Sequence, residues 1–236
     1  MPFDSARSPA RDQVLVRSHS DVERRYMASV YRWMTLGLGL TAVVAFLVAG
    51  SEDALRFVIG NRFVFFGLVI AELGLVVAIS AAVHRLSAAA AGGLFLLYSA
   101  LNGATLSVVL LAYTGSSVAL AFVTTAGTFG AMSAFATVTR RDLSSWSSFL
   151  FMGLIGIVIA SLVNMFLHSS AVSFVISCAS VVVFTGLAAY DTQKLRALAR
   201  AGGGSAAMPI NGALALYLDF INLFLALLRL LGNRRD

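Results

Sequence analysis

The segment that decides the fold is Ile210–Leu231, which reads INGALALYLDFINLFLALLRLL. Nearly all of its residues are apolar. At a rise of 1.5 Å per residue, a helix of this length crosses the hydrocarbon core of a bilayer, which is about 30 Å thick. Asp219 lies near the middle of the segment, and Asn222 follows one helical turn later on the same face. An acidic residue at this depth is expensive and usually has a function.

The composition of the whole chain also indicates a membrane protein. Of 236 residues, 59% are hydrophobic and only 12% are charged, whereas soluble domains are about 25% charged. So few charges cannot cover a soluble globule, which excludes a cytosolic enzyme, a nucleic-acid-binding domain, a disordered protein and a secreted disulfide scaffold. The net charge of +6 is therefore assigned to cytoplasmic loops, and no nucleic-acid partner is expected.

Seven segments are long and apolar enough to span a membrane, and short connections join them. We therefore predict an all-α membrane protein built as an up-and-down bundle of seven transmembrane helices. The predicted spans are Val30–Ala49, Phe63–Val83, Ala88–Tyr113, Ser117–Val138, Ser147–Leu167, Ala171–Tyr190 and Ile210–Leu231.

The residues before the first span are polar and charged, with no apolar core of a cleavable signal peptide. Residues 1–27 are predicted to form a cytoplasmic N-terminal tail with a short interfacial helix, and residues 28–236 the seven-helix membrane domain. Within the tail, residues 1–18 are expected to be flexible. A helix is expected to start at Ser20, because Ser20 and Glu23 have the spacing of a capping box.

The positive charges predict the orientation of the bundle. With the N-terminus inside, twelve Lys and Arg residues lie on the inner side, and only Arg56 and Arg62 lie in outer loops. This asymmetry predicts a cytoplasmic N-terminus. The last segment leaves two alternatives open: a full seventh span, or a re-entrant segment that returns the C-terminus to the inside. The length of Ile210–Leu231 favours the full span.

Three acidic residues belong to the apolar segments: Glu72 in the second, Asp191 at the inner end of the sixth, and Asp219. The helix around Asp191 is expected to continue, because Thr192–Arg200 contains no helix breaker before Gly202. No basic residue lies at comparable depth. The three acids must therefore be protonated, share protons, contact water or bind a cation, since two carboxylates in contact cannot easily both ionise. The alternative is that each acid hydrogen-bonds a neighbour and fixes helix register.

The sixth segment carries one helical stripe that ends on an acid. Its members follow each other at steps of three and four residues: Ser173, Ser177, Ser180, Phe184, Leu187 and Asp191. Such a stripe either lines a polar path or forms a contact seam, where small residues let two helices approach closely.

Two stretches carry a resemblance to a known family. Tyr190-Asp191-Thr192-Gln193-Lys194 and Ala213–Phe224, ALALYLDFINLF, closely resemble the bacterial, YccA-like branch of the transmembrane Bax inhibitor motif family. Ala71-Glu72-Leu73 also fits, and the middle segments match in hydrophobic pattern. The resemblance implies a bundle in which the last helix is central and surrounded by the other six. It also implies a pH-sensitive calcium leak channel in the bacterial inner membrane.

The resemblance also implies roles for individual residues. The two aspartates that form the pH sensor and gate in the family correspond to Asp191 and Asp219. Arg85 is the nearest candidate for an arginine latch. Ca²⁺ prefers carboxylate oxygens and would bind transiently at Asp191, Asp219 and Glu72 as the permeant ion, with no cofactor. The residues expected to give the path its polar lining are Glu72, Asn222, Ser173, Ser177 and Ser180.

Two further functional classes remain. Family members resembling this chain are linked to the membrane protease FtsH, so the protein could serve as its regulator or substrate, with Met1–Ser18 as an unfolded handle. An enzyme is not expected: the only lysine, Lys194, lies outside the predicted spans, so no retinal Schiff base can form at depth. Asp219 also lacks the Gly-x-Gly-Asp context of intramembrane aspartyl proteases. The expected partners are the lipid bilayer, protons, Ca²⁺ and, in the regulatory hypothesis, FtsH.

Overall fold

The computed structural model describes the backbone of residues 9–202 and 204–235, with side chains from residue 20 onward. Over these ranges the chain forms eight α-helices and one short 3-10 turn at Ser144–Trp146. The α-helices are α1 (Pro9–Ala49), α2 (Glu52–Ile59), α3 (Arg62–Ala82), α4 (Ala88–Ala112), α5 (Gly115–Val138), α6 (Ser147–Leu167), α7 (Ser170–Arg200) and α8 (Met208–Leu231).

In this described part, every α-helix except α2 is long and apolar enough to cross a membrane. The predicted helical membrane bundle with seven spans is therefore confirmed. The predicted ends of the second to fifth spans and of the last lie within two residues of the observed ends. Polar side chains explain several starts, because Asn61, Ser87, Thr114 and Ser169 each accept a hydrogen bond from a backbone N–H of the following first turn.

The first helix starts much earlier than predicted. α1 begins at Pro9, so the prediction of a flexible tail is wrong for residues 9–18, and residues 1–8 lie outside the described residues. Proline suits the first turn of a helix, where its missing N–H costs nothing. Ser20 lies inside α1 and therefore starts no helix. Glu23 instead binds the end of α7, where Arg196 and Arg200 both donate to its carboxylate.

The last helix is the most buried of the spans. It packs against α1, α4, α5 and α7 and also contacts α3. Buried residues such as Leu214, Leu216 and Asp219 cover most of the circumference of α8, whereas Ala215, Leu218 and Asn222 form a narrower face that is only partly buried. The full ring of six helices around α8, which the family resemblance implies, stays a prediction.

Hydrogen bonds at both ends show that α8 runs from one end of the bundle to the other. Before α8, the hydroxyl of Ser205 donates to the carbonyl of Val83, in the turn between α3 and α4. After α8, the backbone of Gly232–Arg235 bonds to the turn between α4 and α5: Thr114 N–H donates to Asn233 O, and Arg235 N–H donates to Ala112 O. Those two turns are separated by the whole of α4, so α8 crosses fully and is not re-entrant.

Glycines allow the closest helix contacts. A Cβ at Gly186 of α7 would lie 2.6 Å from the Leu150 side chain of α6, and one at Gly103 of α4 would lie 2.6 Å from the Thr41 carbonyl of α1. Small residues let helix backbones approach in this way in membrane bundles. These contacts fix α6 against α7, the helix that carries Asp191, and fix α4 against α1, the helices that carry Asn102 and Thr41.

Candidate functional site

Asp191 and Asp219 lie together at a cavity between α6, α7 and α8. The cavity has a volume of about 570 Å³, and both aspartates line it together with Lys194 and Asn222. Its remaining walls are mainly apolar and include Phe151, Leu154, Phe184, Leu187 and Leu218. Helix α7 continues without a break to Arg200, as predicted, and so holds Asp191 within a helix at the cavity wall.

Both carboxyl groups line this one cavity, so the charge on each acts on the other. Asp219 is only 5% exposed, and its Oδ2 atom has no hydrogen-bond partner among the described residues. Asn222 does not supply one, because its side-chain amide donates to the Leu218 carbonyl of its own helix at 2.8 Å. Burying a carboxylate oxygen without a donor is costly, so this position is suited to a proton or a cation.

A positively charged side chain of the protein also lines this cavity. Lys194 lies one turn after Asp191 on α7 and attracts it electrostatically. Its Nζ atom is 5.7 Å from the centre of the Tyr190 ring, within the usual range of a cation–π contact. Arg85, the predicted latch, is exposed in the turn after α3 and does not line this cavity. The basic residue that the structure brings to the aspartates is therefore Lys194 and not Arg85.

The serines of the predicted stripe do not reach this cavity. Their hydroxyls donate to carbonyls of their own helix: Ser173 to Ser169, Ser177 to Ser173, and Ser180 to Ile176. Ser177 and Ser180 are buried against neighbouring helices, whereas Ser173 is exposed. Of the stripe, only Phe184, Leu187 and Asp191 line the cavity, so the outer serines contribute a helix surface and not a wall of the aspartate site.

Glu72 belongs to a separate polar network. The Asn102 amide donates to Glu72 Oε2 at 3.1 Å, and the Thr105 hydroxyl donates to Oε1 at 2.9 Å. The Tyr217 hydroxyl donates to Asn102 Oδ1 at 2.9 Å and lies 2.6 Å from Thr41 Oγ1. The network thus joins α3, α4, α8 and α1 across the interior of the bundle.

The three predicted Ca²⁺ ligands are not assembled into one site. Tyr217, which holds the Glu72 network, and Asp219 are two residues apart on α8 and so point about 200° apart around the helix. In the described part of the chain, no group of three or more His, Cys, Asp or Glu side chains could hold a metal ion. Helix α8 separates Glu72 from the Asp191 and Asp219 pair, and transient binding of Ca²⁺ at these three acids stays a prediction.

Sequence reasoning missed several residues of both sites. Lys194 lies outside the predicted spans, although the helical continuation predicted beyond Asp191 already places it one turn away on the same face. Thr41, Thr105 and Tyr217 are polar residues within apolar spans, and that position was the signal that could have identified them.

Comparisons with known proteins agree with the fold. The model of the Bax1-I family, described as inhibitor of apoptosis-promoting Bax1, matches residues 23–236. The inner membrane protein YbhL of Escherichia coli K12 is 51% identical over 229 residues, covering 93% of this chain and 98% of YbhL. A protein of Deinococcus radiodurans is 49% identical over 219 residues, covering 92% of this chain and 93% of its own. A protein of Rickettsia prowazekii is 46% identical over 218 residues, with coverages of 90% and 91%.

Proposed function

This chain belongs to the Bax1-I family of membrane proteins, and from that premise we propose that it is a pH-sensitive leak channel for Ca²⁺. The observation that carries the proposal is the aspartate pair: two interacting carboxyl groups face a cavity inside a membrane bundle, and one buried oxygen has no donor among the described residues. Carboxylate oxygens are the ligands that Ca²⁺ prefers.

In the proposed gate, a proton and a cation compete for the pair of carboxyl groups. Asp191 and Asp219 titrate together, because the charge on one changes the cost of charging the other. When they share a proton, the pair holds α7 against α8 and the path is closed. Loss of that proton leaves two like charges facing each other, and they bind a cation or move apart. Lys194, at the same cavity, occupies the role that the family resemblance gives to a latch.

The remaining polar residues have supporting roles in the proposal. Asn222 lines the cavity one turn beyond Asp219 and provides a neutral oxygen along the path. Glu72 lies on the side of α8 away from the aspartate pair. We assign to it a second polar position, which Ca²⁺ contacts separately from the pair. Ser173, Ser177 and Ser180 shape the outer half of α7 for helix packing.

We also propose that the protein lies in the bacterial inner membrane with its N-terminus in the cytoplasm. The relative YbhL is an inner membrane protein. The charge distribution supports the orientation, since Arg140, Arg141 and Arg196 all lie at the end of the bundle that carries the N-terminal part of α1, with Arg196 bound to Glu23.

The test is a Ca²⁺ flux assay in liposomes that contain the purified protein and a fluorescent Ca²⁺ indicator, measured from pH 6 to pH 8. For the wild type we expect a flux that changes with pH. Asp191→Asn and Asp219→Asn preserve the shape of the side chains but remove the titrating group, so the flux of each variant should no longer respond to pH.

Asp142→Asn is the matched control, because Asp142 is an acidic residue in the exposed loop between α5 and α6. It should keep both the flux and the pH response. Size-exclusion profiles of all variants must match the wild type. Wild-type flux and pH response in both Asp191→Asn and Asp219→Asn would refute the proposal.

A second proposal is that the protein acts as a regulator or substrate of an FtsH-type protease, and no catalytic step is assigned to the chain in either case. Within the predicted handle, Met1–Ser18, the chain is helical from Pro9 onward, and residues 1–8 lie outside the described residues. Deletion of residues 2–8 should lengthen the half-life of the protein in a pulse-chase experiment if the protease engages this end. An unchanged half-life would contradict it, and flux through the Asp191 site should be unaffected in either outcome.

A further inference from the structure

A second cavity, of about 640 Å³, lies on the other side of the bundle between α1, α4, α5 and α8. Its walls are formed by apolar side chains, among them Ala45, Leu106, Val118 and Phe224. Phe46 of α1 is 75% exposed and Phe122 of α5 is 48% exposed, so the rim faces the surroundings of the bundle, which in a membrane are acyl chains. The cavity is within the size range of ligand pockets.

Water is a poor occupant for this space. A buried water needs two to four polar partners, and apolar cavities without them stay dry. Thr41 is the polar side chain at the deep end, and its hydroxyl is already occupied by the Ser99 carbonyl at 2.8 Å and Tyr217 at 2.6 Å. A flexible apolar chain fits the lining better than solvent.

A positive charge is held at one end of the same cavity. Arg235 lines it, and the backbone of Arg235 is fixed by a hydrogen bond of 3.0 Å to the Ala112 carbonyl. No described acidic side chain forms an ion pair with Arg235, and Glu52 on the nearby helix α2 faces Arg56 instead. A guanidinium with free donors binds phosphate oxygens well.

We propose that this cavity is a lipid site: it holds one acyl chain of an anionic phospholipid, and the phosphate of that lipid binds Arg235. The charge at the rim selects an anionic headgroup, and the apolar walls hold the chain. The site does not depend on the proposed Ca²⁺ conduction, because the aspartate pair lies in a different cavity, between α6, α7 and α8.

Native mass spectrometry of the full-length, detergent-purified protein tests the site. The protein is titrated separately with dipalmitoylphosphatidylglycerol and dipalmitoylphosphatidylcholine, which share their acyl chains. We expect the first phosphatidylglycerol to bind with a Kd lower by roughly threefold or more, the size of effect typical of an exposed ion pair. Arg235→Gln should remove this preference, whereas Arg234→Gln, at a neighbouring arginine that does not line the cavity, should keep it.

A second pair of variants tests the position of the chain. Ala42 lines the cavity and is exposed, so the Ala42→Trp variant should fold. The tryptophan ring should weaken binding of both lipids by about tenfold, which is the effect expected when about two methylene groups of the acyl chain are no longer buried. Val43→Trp, at a neighbouring exposed position outside the lining, should leave binding unchanged. The proposal would be overturned if the wild type bound both lipids equally, or if palmitate bound as tightly as phosphatidylglycerol. It would also be overturned if Arg235→Gln and Arg234→Gln, or Ala42→Trp and Val43→Trp, had equal effects.

Discussion

Thr41, Tyr217, Asn102 and Glu72 form a chain of hydrogen bonds in which each hydroxyl has a single proton to give. The Thr41 hydroxyl donates its proton to the Ser99 carbonyl, and the Tyr217 hydroxyl donates its proton to Asn102 Oδ1, so the 2.6 Å contact between Thr41 and Tyr217 joins two hydroxyls whose protons already have acceptors. The Asn102 amide then donates to Glu72. The donors of Tyr217 and Asn102 therefore point towards one carboxylate, and aligned hydrogen bonds of this kind polarise each other.

Tyr217→Phe should destabilise the protein. The ring stays in place, but Asn102 Oδ1 loses its donor in a buried region, and Thr41 keeps only its hydrogen bond to the Ser99 carbonyl. We expect the free energy of unfolding to fall by roughly 1–2 kcal/mol, between the usual cost of an unsatisfied buried group and the smaller values found within membranes. The measurement is equilibrium unfolding in mixed micelles with increasing SDS, followed by circular dichroism.

Tyr98→Phe provides the control for that experiment. The Tyr98 ring packs edge-on against Tyr217, with ring centroids 5.6 Å apart, and the ring is buried in the same cluster. Its hydroxyl does not take part in the Glu72 network. If Tyr98→Phe and Tyr217→Phe lower the free energy of unfolding equally, the network does not contribute to stability beyond the packing of the rings.

At the scale of elements, the spans were predictable because about 20 consecutive apolar residues permit few structures other than a membrane helix. α2 was missed since its signal is local and amphipathic. Ser51 caps the helix, Glu52 and Asp53 occupy the first turn, where acidic residues are favourable, and only Val58 is buried. The helix start predicted at Ser20 was wrong for a different reason: Glu23 does not complete a capping box but binds Arg196 and Arg200, far along the chain, and such long-range ion pairs leave no local pattern.

The residues of the candidate site could be predicted where a short stretch of sequence reveals their chemistry. Asp191 and Asp219 stand out as acids in apolar segments, and their proximity followed from the family resemblance. Arg85 was chosen because it ends the neighbouring helix, but the rotation of α3 relative to α7 depends on packing that no single segment encodes. Glu72 was grouped with the aspartates because all three acids belong to apolar segments. Depth in the membrane does not determine which face of α8 a side chain contacts, and Glu72 lies on the face away from the aspartates.

At the scale of the whole molecule, an odd number of full crossings places the two ends of the membrane domain on opposite sides. The C-terminal residues 232–235 bond to the turn between α4 and α5, whereas Ser205, before α8, bonds to the turn between α3 and α4. In the orientation that we propose, the second of these sides is the cytoplasmic one. The loop between α5 and α6, which contains Ser145, then lies in the cytoplasm, and Asn233 lies outside.

Cysteine labelling tests this arrangement in a Cys178→Ser background, since Cys178 is the only cysteine in the chain. Asn233→Cys and Ser145→Cys place single thiols at exposed positions on the two sides. A membrane-impermeant maleimide added to intact spheroplasts should label Asn233→Cys, and Ser145→Cys only after permeabilisation, because the reagent cannot cross the bilayer. Labelling of both or of neither in intact spheroplasts would contradict the full crossing of α8, and the reversed pattern would place the N-terminus outside.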